Sequence, residues 1–518
     1  MPAAGNPNRW NETFQQMVED SLRHSIALVQ ANANTPQAFH PHMDSLASQL
    51  RWGARFAPEL AARLTVAAYP WPARWGQADS WRRHLEQACQ GLPPSHPLHR
   101  QALACLADIF QLSGRPEKVV EIAGPLFDDP TVPLEELELL VAQGGGAWLS
   151  ALTSQGKTLE AEQAVRSLWG RLESAPPRPS LPAQAQARAV LLLHRSTAAR
   201  RKGDLALALD LISQAIAGLE GQRNADRSSM SELLQSRAIY HWVGADYPSA
   251  LADLEYAQQV SASAADRIGL CSIHGNRGLV YWSMSAFGLA ERELLAGIQL
   301  AEKNKWTYLL MKQVGNLGMV YLNLGDLPNA LGYIERGRKL AEITGDEYEK
   351  ALAEGNRAAV QIYTDHPEQA LPGLFSTLQK YANTERYETQ VGALVDLSIC
   401  HYRVGDLRAS ARFAQQAHDL AQTGGVPVLL LIAARARALC APASQAADLL
   451  QQAFQLAERL DRKLDMAGCK LSLAHLAAEH ETRLQAWEQA VDILNQIGAA
   501  KWVENQPVGA PILLPMTV

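Results

Sequence analysis

Between residues 276 and 417 the chain repeats itself with a period of 40 residues. Asn276-Arg277-Gly278-Leu279-Val280-Tyr281 returns as Asn316-Leu317-Gly318-Met319-Val320-Tyr321, then as Asn356-Arg357-Ala358-Ala359-Val360-Gln361. A small residue marks the following segment each time, at Ala290, Ala330, Ala370 and Ser410. A fixed period of this kind signals an array of supersecondary units that bury their apolar faces only by stacking. Each unit then contacts only its neighbours, and the chain grows in one dimension. The 518 residues therefore need not divide into ordinary globular domains.

The physics of one unit can be read from its residue types. Apolar spacing of three and four predicts two helices per unit. Gly278, Gly318, Ala358 and Ser398 lie late in the first helix and allow the second to approach closely. Ala290, Ala330 and Ala370 complete that contact from the other side, and Tyr281 or Tyr321 fills the space below. Gly-Asp steps such as Gly203-Asp204, Gly325-Asp326 and Gly405-Asp406 separate the helices. Glycine accepts the left-handed C-cap, and aspartate can cap the next N-terminus.

Around this core the chain divides as follows. Residues 1–42 comprise an N-terminal helix and loop, with residues 1–10 a polar tail and 31–42 the loop. Residues 43–174 hold degenerate units, including helices over 43–56 and 58–69 and a knot of Trp71, Trp75 and Trp81. Terminal units of an array are atypical because they cap the stack, so these indoles are expected to plug one end. A proline-rich break occupies 175–182, the 40-residue array spans 183–422, and degenerate units fill 423–500. An apolar, proline-containing tail covers 501–518. The tail could pack on its own chain, which is preferred here, or dock on another.

A net charge of −6 on this length offers no DNA-coating surface, so nucleic acid is not an expected partner. The six cysteines are far apart and form no CxxC pair, which fits reduced core thiols better than disulfides or a zinc ribbon. The N-terminus lacks the basic flank and apolar core of a signal peptide, and no apolar run reaches the roughly 18 residues of a membrane span. A cytoplasmic protein is expected.

With these positions laid out, the chain resembles tetratricopeptide repeat proteins, whose pattern sets Leu, Gly or Ala, and Tyr in the first helix against Ala in the second. The 40-residue unit is longer than the usual ~34. It is similar to the sensor arrays of bacterial STAND and MalT-like regulators, and to LGN/Pins-type adaptors. Residues 60–64 and 81–86 also resemble the start of the STAND sensor array. The resemblance covers about residues 55–495 and is specific in the middle. It implies an all-α fold, an α-solenoid forming a right-handed superhelix of about ten to eleven helix pairs.

Several motifs suggest chemistry and fail on context. Ala151 through Gly156-Lys157-Thr158 satisfies a relaxed phosphate-loop pattern, but such a loop needs a strand before it. Here the preceding residues belong to a helix, and Gly156 occupies the slot of Gly114, Gly203, Gly325 and Gly405. Gly144-Gly145-Gly146 lacks GxGxxG spacing and reads as a connection between helices. The pairs His40/His42, His96/His99 and His475/His480 lack supporting ligands at metal spacing, so capping or solvated histidines are expected. No nucleophile or paired-carboxylate motif stands out. No metal, cofactor or catalytic residue is expected, and the protein is not read as an enzyme.

The functional signal is a column. One position per unit gives His194, Ser236, Asn276, Asn316, Asn356 and Asp396. In a tetratricopeptide superhelix this position faces the concave groove, and asparagines there are used in related arrays to grip an extended peptide. A side-chain amide both donates and accepts, so a ladder of them can hold a peptide backbone. The alternative is that these residues only hydrogen-bond within their helix pairs. Six residues on stand Arg200, Trp242, Trp282, Leu322, Ile362 and Tyr402, with Arg201, Lys312 and Arg403 as polar neighbours. Binding hot spots favour Trp, Tyr and Arg. The expected function is a non-catalytic scaffold or regulatory adaptor with a protein or peptide segment in its groove. It would control a separately encoded effector such as a signalling ATPase, a protease or a transcription regulator. The alternative is a small-molecule-sensing domain of the MalT or STAND kind, which requires an apolar pocket inside the superhelix.

Overall fold

The computed structural model describes residues 7–32, 40–69, 71–174, 182–220, 227–344, 347–382 and 386–517. The fold is all-α, an α-solenoid-type array of helix pairs, with no strand among the described residues. It divides into two compact units. One comprises residues 1–198, 209–236 and 255–270, the other 199–208, 237–254 and 271–518. The proline-rich break predicted at 175–182 lies outside the described residues except for Pro182, which opens the helix Pro182–Arg201.

The repeat positions do what their residue types require. A Cβ on Gly278 would stand 2.7 Å from Leu294, and one on Gly318 2.5 Å from Ile334. Ala290, Ala330, Ala370 and Ser410 are fully buried. Two left-handed turns recur in register. The turn within a pair falls at Gly203, Ala245, Ser285, Gly325 and Gly405, and the turn between pairs at Ala265, Lys305 and Gly425. Ala245 and Ser285 take φ of 60° and 56° without glycine, a costly conformation that the flanking helices impose. Gly156 makes the same turn, at φ 78°, between the helices Gly146–Ser154 and Thr158–Glu173.

Two local expectations are corrected in the first unit. Residues 7–10 are the first turn of the helix Pro7–Ala31 rather than tail, with proline at a position where its missing N–H costs nothing. The three glycines at 144–146 are not a connection. They lie in continuous helix that passes through a π-turn at Val141–Gly145, and a Cβ on Gly144 would sit 2.4 Å from the Ala104 carbonyl oxygen. Close packing, not flexibility, is what glycine supplies there. Gly144→Ala is expected to destabilise the first unit by about 1–3 kcal/mol through overpacking, measurable by urea denaturation. In the same unit Trp75 and Trp81 are buried, and the Trp81 indole donates to the Thr65 carbonyl at 3.1 Å.

The second unit departs from nearest-neighbour stacking. The Leu464 amide donates to Ser285 Oγ at 3.2 Å, Trp502 Nε1 to the Asn323 carbonyl at 3.0 Å, and Lys501 pairs with Asp326 at 2.7 Å. These contacts join residues 175 to 179 positions apart. One apolar cluster accordingly combines Phe287, Leu294, Val314 and Leu317 with Leu471, Trp487, Leu494 and Leu514. The unit closes on itself, and its inner face becomes a cavity.

Candidate functional site

That cavity has a volume of about 310 Å³ and is lined by residues of the second unit. Six of the residues predicted for the groove meet around it: Trp242, Trp282, Asn316, Leu322, Asn356 and Asp396. They come from four successive first helices, Arg227–Val243, Arg267–Ser283, Thr307–Asn323 and Glu347–Gln361, and from Tyr387–Arg403. Met319, Leu352 and Leu374 supply apolar wall between them.

The polar groups of this wall fall into two classes. Some are satisfied within the protein: Glu388 pairs with Arg200 at 2.9 Å, and Thr377 Oγ1 donates to the Ala351 carbonyl at 2.8 Å. Trp242 Nε1 donates to Ser283 Oγ at 2.8 Å. The others have no hydrogen-bond partner among the described residues. Trp282 Nε1 and the Tyr363 hydroxyl are buried without one, and the side chains of Asn316, Asn356 and Asp396 make no hydrogen bond. Buried polar groups are normally paired, so the orphaned atoms of Trp282 and Tyr363 require explanation, and the half-buried side chains of Asn316, Asn356 and Asp396 add three more unbonded polar groups to the same cavity. Asp396 is half-buried, and burial alone pushes its carboxyl up to about 8. Burial also raises the Tyr363 phenol well above its usual range, and the nearby Asp396 adds to that shift.

The far wall is the chain's own C-terminus. Pro515, Met516 and Thr517 line the cavity, while Leu514 and Met516 are buried in the two flanking apolar clusters. The tail predicted over 501–518 therefore packs on its own chain. Its extended backbone has no ladder partner, and arginines take that role. Arg435 donates to the carbonyls of Leu514 and Pro515 at 3.4 and 3.5 Å, and Arg462 to that of Thr517 at 2.5 Å. Asn323 Nδ2 donates to Thr517 Oγ1 at 3.1 Å. Both arginines are paired with Asp465, which bonds Arg435 through one oxygen and Arg462 through the other at 2.7 Å. Gly468 makes room for this cluster, because a Cβ there would stand 2.1 Å from the Arg435 guanidinium.

The remaining predicted residues lie elsewhere. Asn276 is half-buried and is not among the residues lining the cavity. His194 and Ser236 belong to the first unit, where Ser236 donates to the Glu232 carbonyl one turn back. Tyr402 faces a smaller cavity with His475, Ile512 and Leu513. Arg403 donates to the carbonyls of Ile362 and Thr364, closing a helix end. Lys312 pairs with Glu349 at 3.6 Å and lies 4.8 Å from the centre of the Tyr308 ring. Arg201 ends the helix Pro182–Arg201. Of the histidine pairs, His96 accepts from the Leu98 amide at 3.2 Å, and His99 and His475 contact the carbonyls of Leu92 and Gly509.

Sequence reasoning did not single out Arg435, Arg462, Asp465, Asn323 or Tyr363. A signal existed for the first, since Arg435 interrupts the apolar run of the helix Pro427–Cys440.

No family model matches the chain, and no curated protein sequence matches it. Among solved structures it is similar to a Rap protein complexed with competence and sporulation factor, at 13% identity and a TM-score of 0.47, covering 78% of this chain and 100% of that one. It is also similar to the Rap conjugation gene regulator of the plasmid pLS20 in complex with a Phr peptide, at 11% identity and a TM-score of 0.40, covering 84% and 95%. A STAND protein with a tetratricopeptide repeat sensor from Pyrococcus horikoshii shows 12% identity and a TM-score of 0.38, covering 82% and 74%. At these levels function has to be argued from this chain's own residues.

Proposed function

We propose that the protein is a non-catalytic regulatory adaptor that holds an extended peptide, or a segment of a partner protein, in the cavity of its second unit. It would pass the binding event to a separately encoded effector, such as a signalling ATPase, a protease or a transcription regulator. The observation that carries this reading is the set of unpaired polar groups, with Asn316, Asn356 and Asp396 lining one cavity together with two indoles. Amides at one-repeat spacing can exchange hydrogen bonds with a peptide backbone whatever its sequence. Support also comes from the tail, an extended segment already held beside those groups by its carbonyls.

The test is affinity capture from the source cell, followed by titration of the captured partner's binding segment. Asn316→Ala with Asn356→Ala should weaken binding by at least about tenfold, the effect of losing two to three hydrogen bonds at ~1 kcal/mol each. Unchanged affinity in the double variant would sink the ladder, and the asparagines would then serve the helix pairs alone.

A second reading is favoured by one observation, the size and largely apolar lining of the cavity. A volume of about 310 Å³ between indoles and leucines fits a small molecule as well as a side chain. A sensor of that kind would co-purify with its inducer or bind it from an extract of the source cell, as native mass spectrometry would detect.

A further inference from the structure

We infer that the cavity of the second unit is a site for an organic cation, an ammonium or guanidinium group on an apolar body, with Asp396 as its counter-ion. The inference rests on the reading of the cavity as a ligand site and names the chemistry of its ligand.

The charges around the cavity decide the sign. Its lining carries two carboxylates, Glu388 and Asp396. Glu388 is already neutralised by Arg200 at 2.9 Å. Asp396 has no such partner and makes no hydrogen bond among the described residues, even to the nearby Tyr363 hydroxyl. The nearby arginines are committed elsewhere, Arg403 to helix-end carbonyls and Arg435 to Asp465 and the tail. A carboxyl left in this state is unfavourable, and burial accounts for its raised pKa. A cation entering the cavity would displace the proton and restore a charge-assisted bond.

The rest of the wall fits the same guest. Trp242 and Trp282 line the cavity, and indole rings attract ammonium and guanidinium groups. The Asn316 and Asn356 amides can accept further N–H donors through their oxygens. Leu322, Leu352 and Met516 provide apolar surface for the body that carries the charge. An anionic guest would face Asp396 without a free cation opposite, so it is disfavoured.

The cation could belong to a free amine or to a lysine or arginine side chain of a bound peptide. Binding of n-butylamine and of a capped pentapeptide with one lysine among alanines and leucines should be measured by tryptophan fluorescence and calorimetry. Each is compared with a neutral isostere, 1-butanol or the norleucine peptide. The wild-type protein should prefer at least one cation over its isostere by about tenfold or more, the scale of one desolvated cation–π contact with a charge-assisted bond. Asp396→Asn should erase that preference. Preference for the peptide alone assigns the cation to a partner's side chain, and preference for the amine alone assigns it to a small molecule. Equal affinity for cation and isostere in the wild type, or no binding of either cation, overturns the inference without any variant. The adaptor reading would survive that result, because it is tested by the asparagines and the captured partner.

Discussion

Asp465→Ala is expected to destabilise the second unit by about 3–5 kcal/mol, the usual cost of removing one member of a buried charge cluster. Asp465 and Arg435 are each 2% exposed, and Arg462 is only slightly more so. Among the described residues Asp465 is the carboxylate paired with both guanidinium groups, and its loss leaves two buried cations without it. Arg435→Met should cost less, because Asp465 keeps Arg462 at 2.7 Å and the methionine fills the space. Both substitutions remove support from the tail, whose carbonyls depend on the two arginines. Urea denaturation followed through the second unit gives the stability change, and limited proteolysis after residue 503 reports release of the tail. A loss below about 1 kcal/mol for Asp465→Ala would show that apolar burial of Leu514 and Met516 alone seats the tail.

The repeat was legible because it is local. Gly278 against Leu294 and Gly318 against Ile334 are contacts within one helix pair, so residue size at a fixed spacing reports them. The turns were half legible. Gly203, Gly325 and Gly405 announce a left-handed residue, whereas Ala245 and Ser285 adopt it only because the flanking helices compel it. The closure of the second unit was not legible at all. Ser285 with Leu464 and Asp326 with Lys501 are ordinary polar residues at helix ends, and nothing in their neighbourhoods encodes a partner about 175 residues away.

The site divides along the same line. Asn316, Asn356 and Asp396 share a cavity because helical periodicity sets them on one face of successive helices. Asn276 obeys the same period yet is not part of the lining, since the cavity is bounded by long-range closure and by the tail. The 40-residue ladder thus predicted direction, and tertiary packing decided which rungs meet. Glycine gave contrasting signals: at 144–146 it suggested a break where it marks close contact, and at Gly468 it marked space for Arg435.

Asp396→Asn should stabilise the ligand-free protein, and by an amount that depends on pH. The carboxyl titrates near 3.9 when unfolded and at about 8 in the folded state. The folded state therefore holds the proton more tightly, and stability is lost as pH rises from about 4 through 8. Full conversion of the shift would exceed 5 kcal/mol, at ~1.4 kcal/mol per unit. The side chain is half-buried and borders a cavity that water can enter, so a penalty of about 2–4 kcal/mol above pH ~8 is the expected scale. Asparagine keeps the shape and has no charge to bury. Its melting temperature should match the wild type near pH ~4 and exceed it by several degrees near pH ~9, where a shift of ~2–4 °C per kcal/mol applies to a unit of this size. Two neighbouring groups do not blur this window, since Tyr363 titrates above it and Cys400 is pushed up to about 11. An equal gain at both pH values would assign the effect to packing and remove the charge argument. A gain confined to high pH, and cancelled when a bound cation stabilises the wild type there, would mean that the free protein carries a destabilising charge that its ligand neutralises.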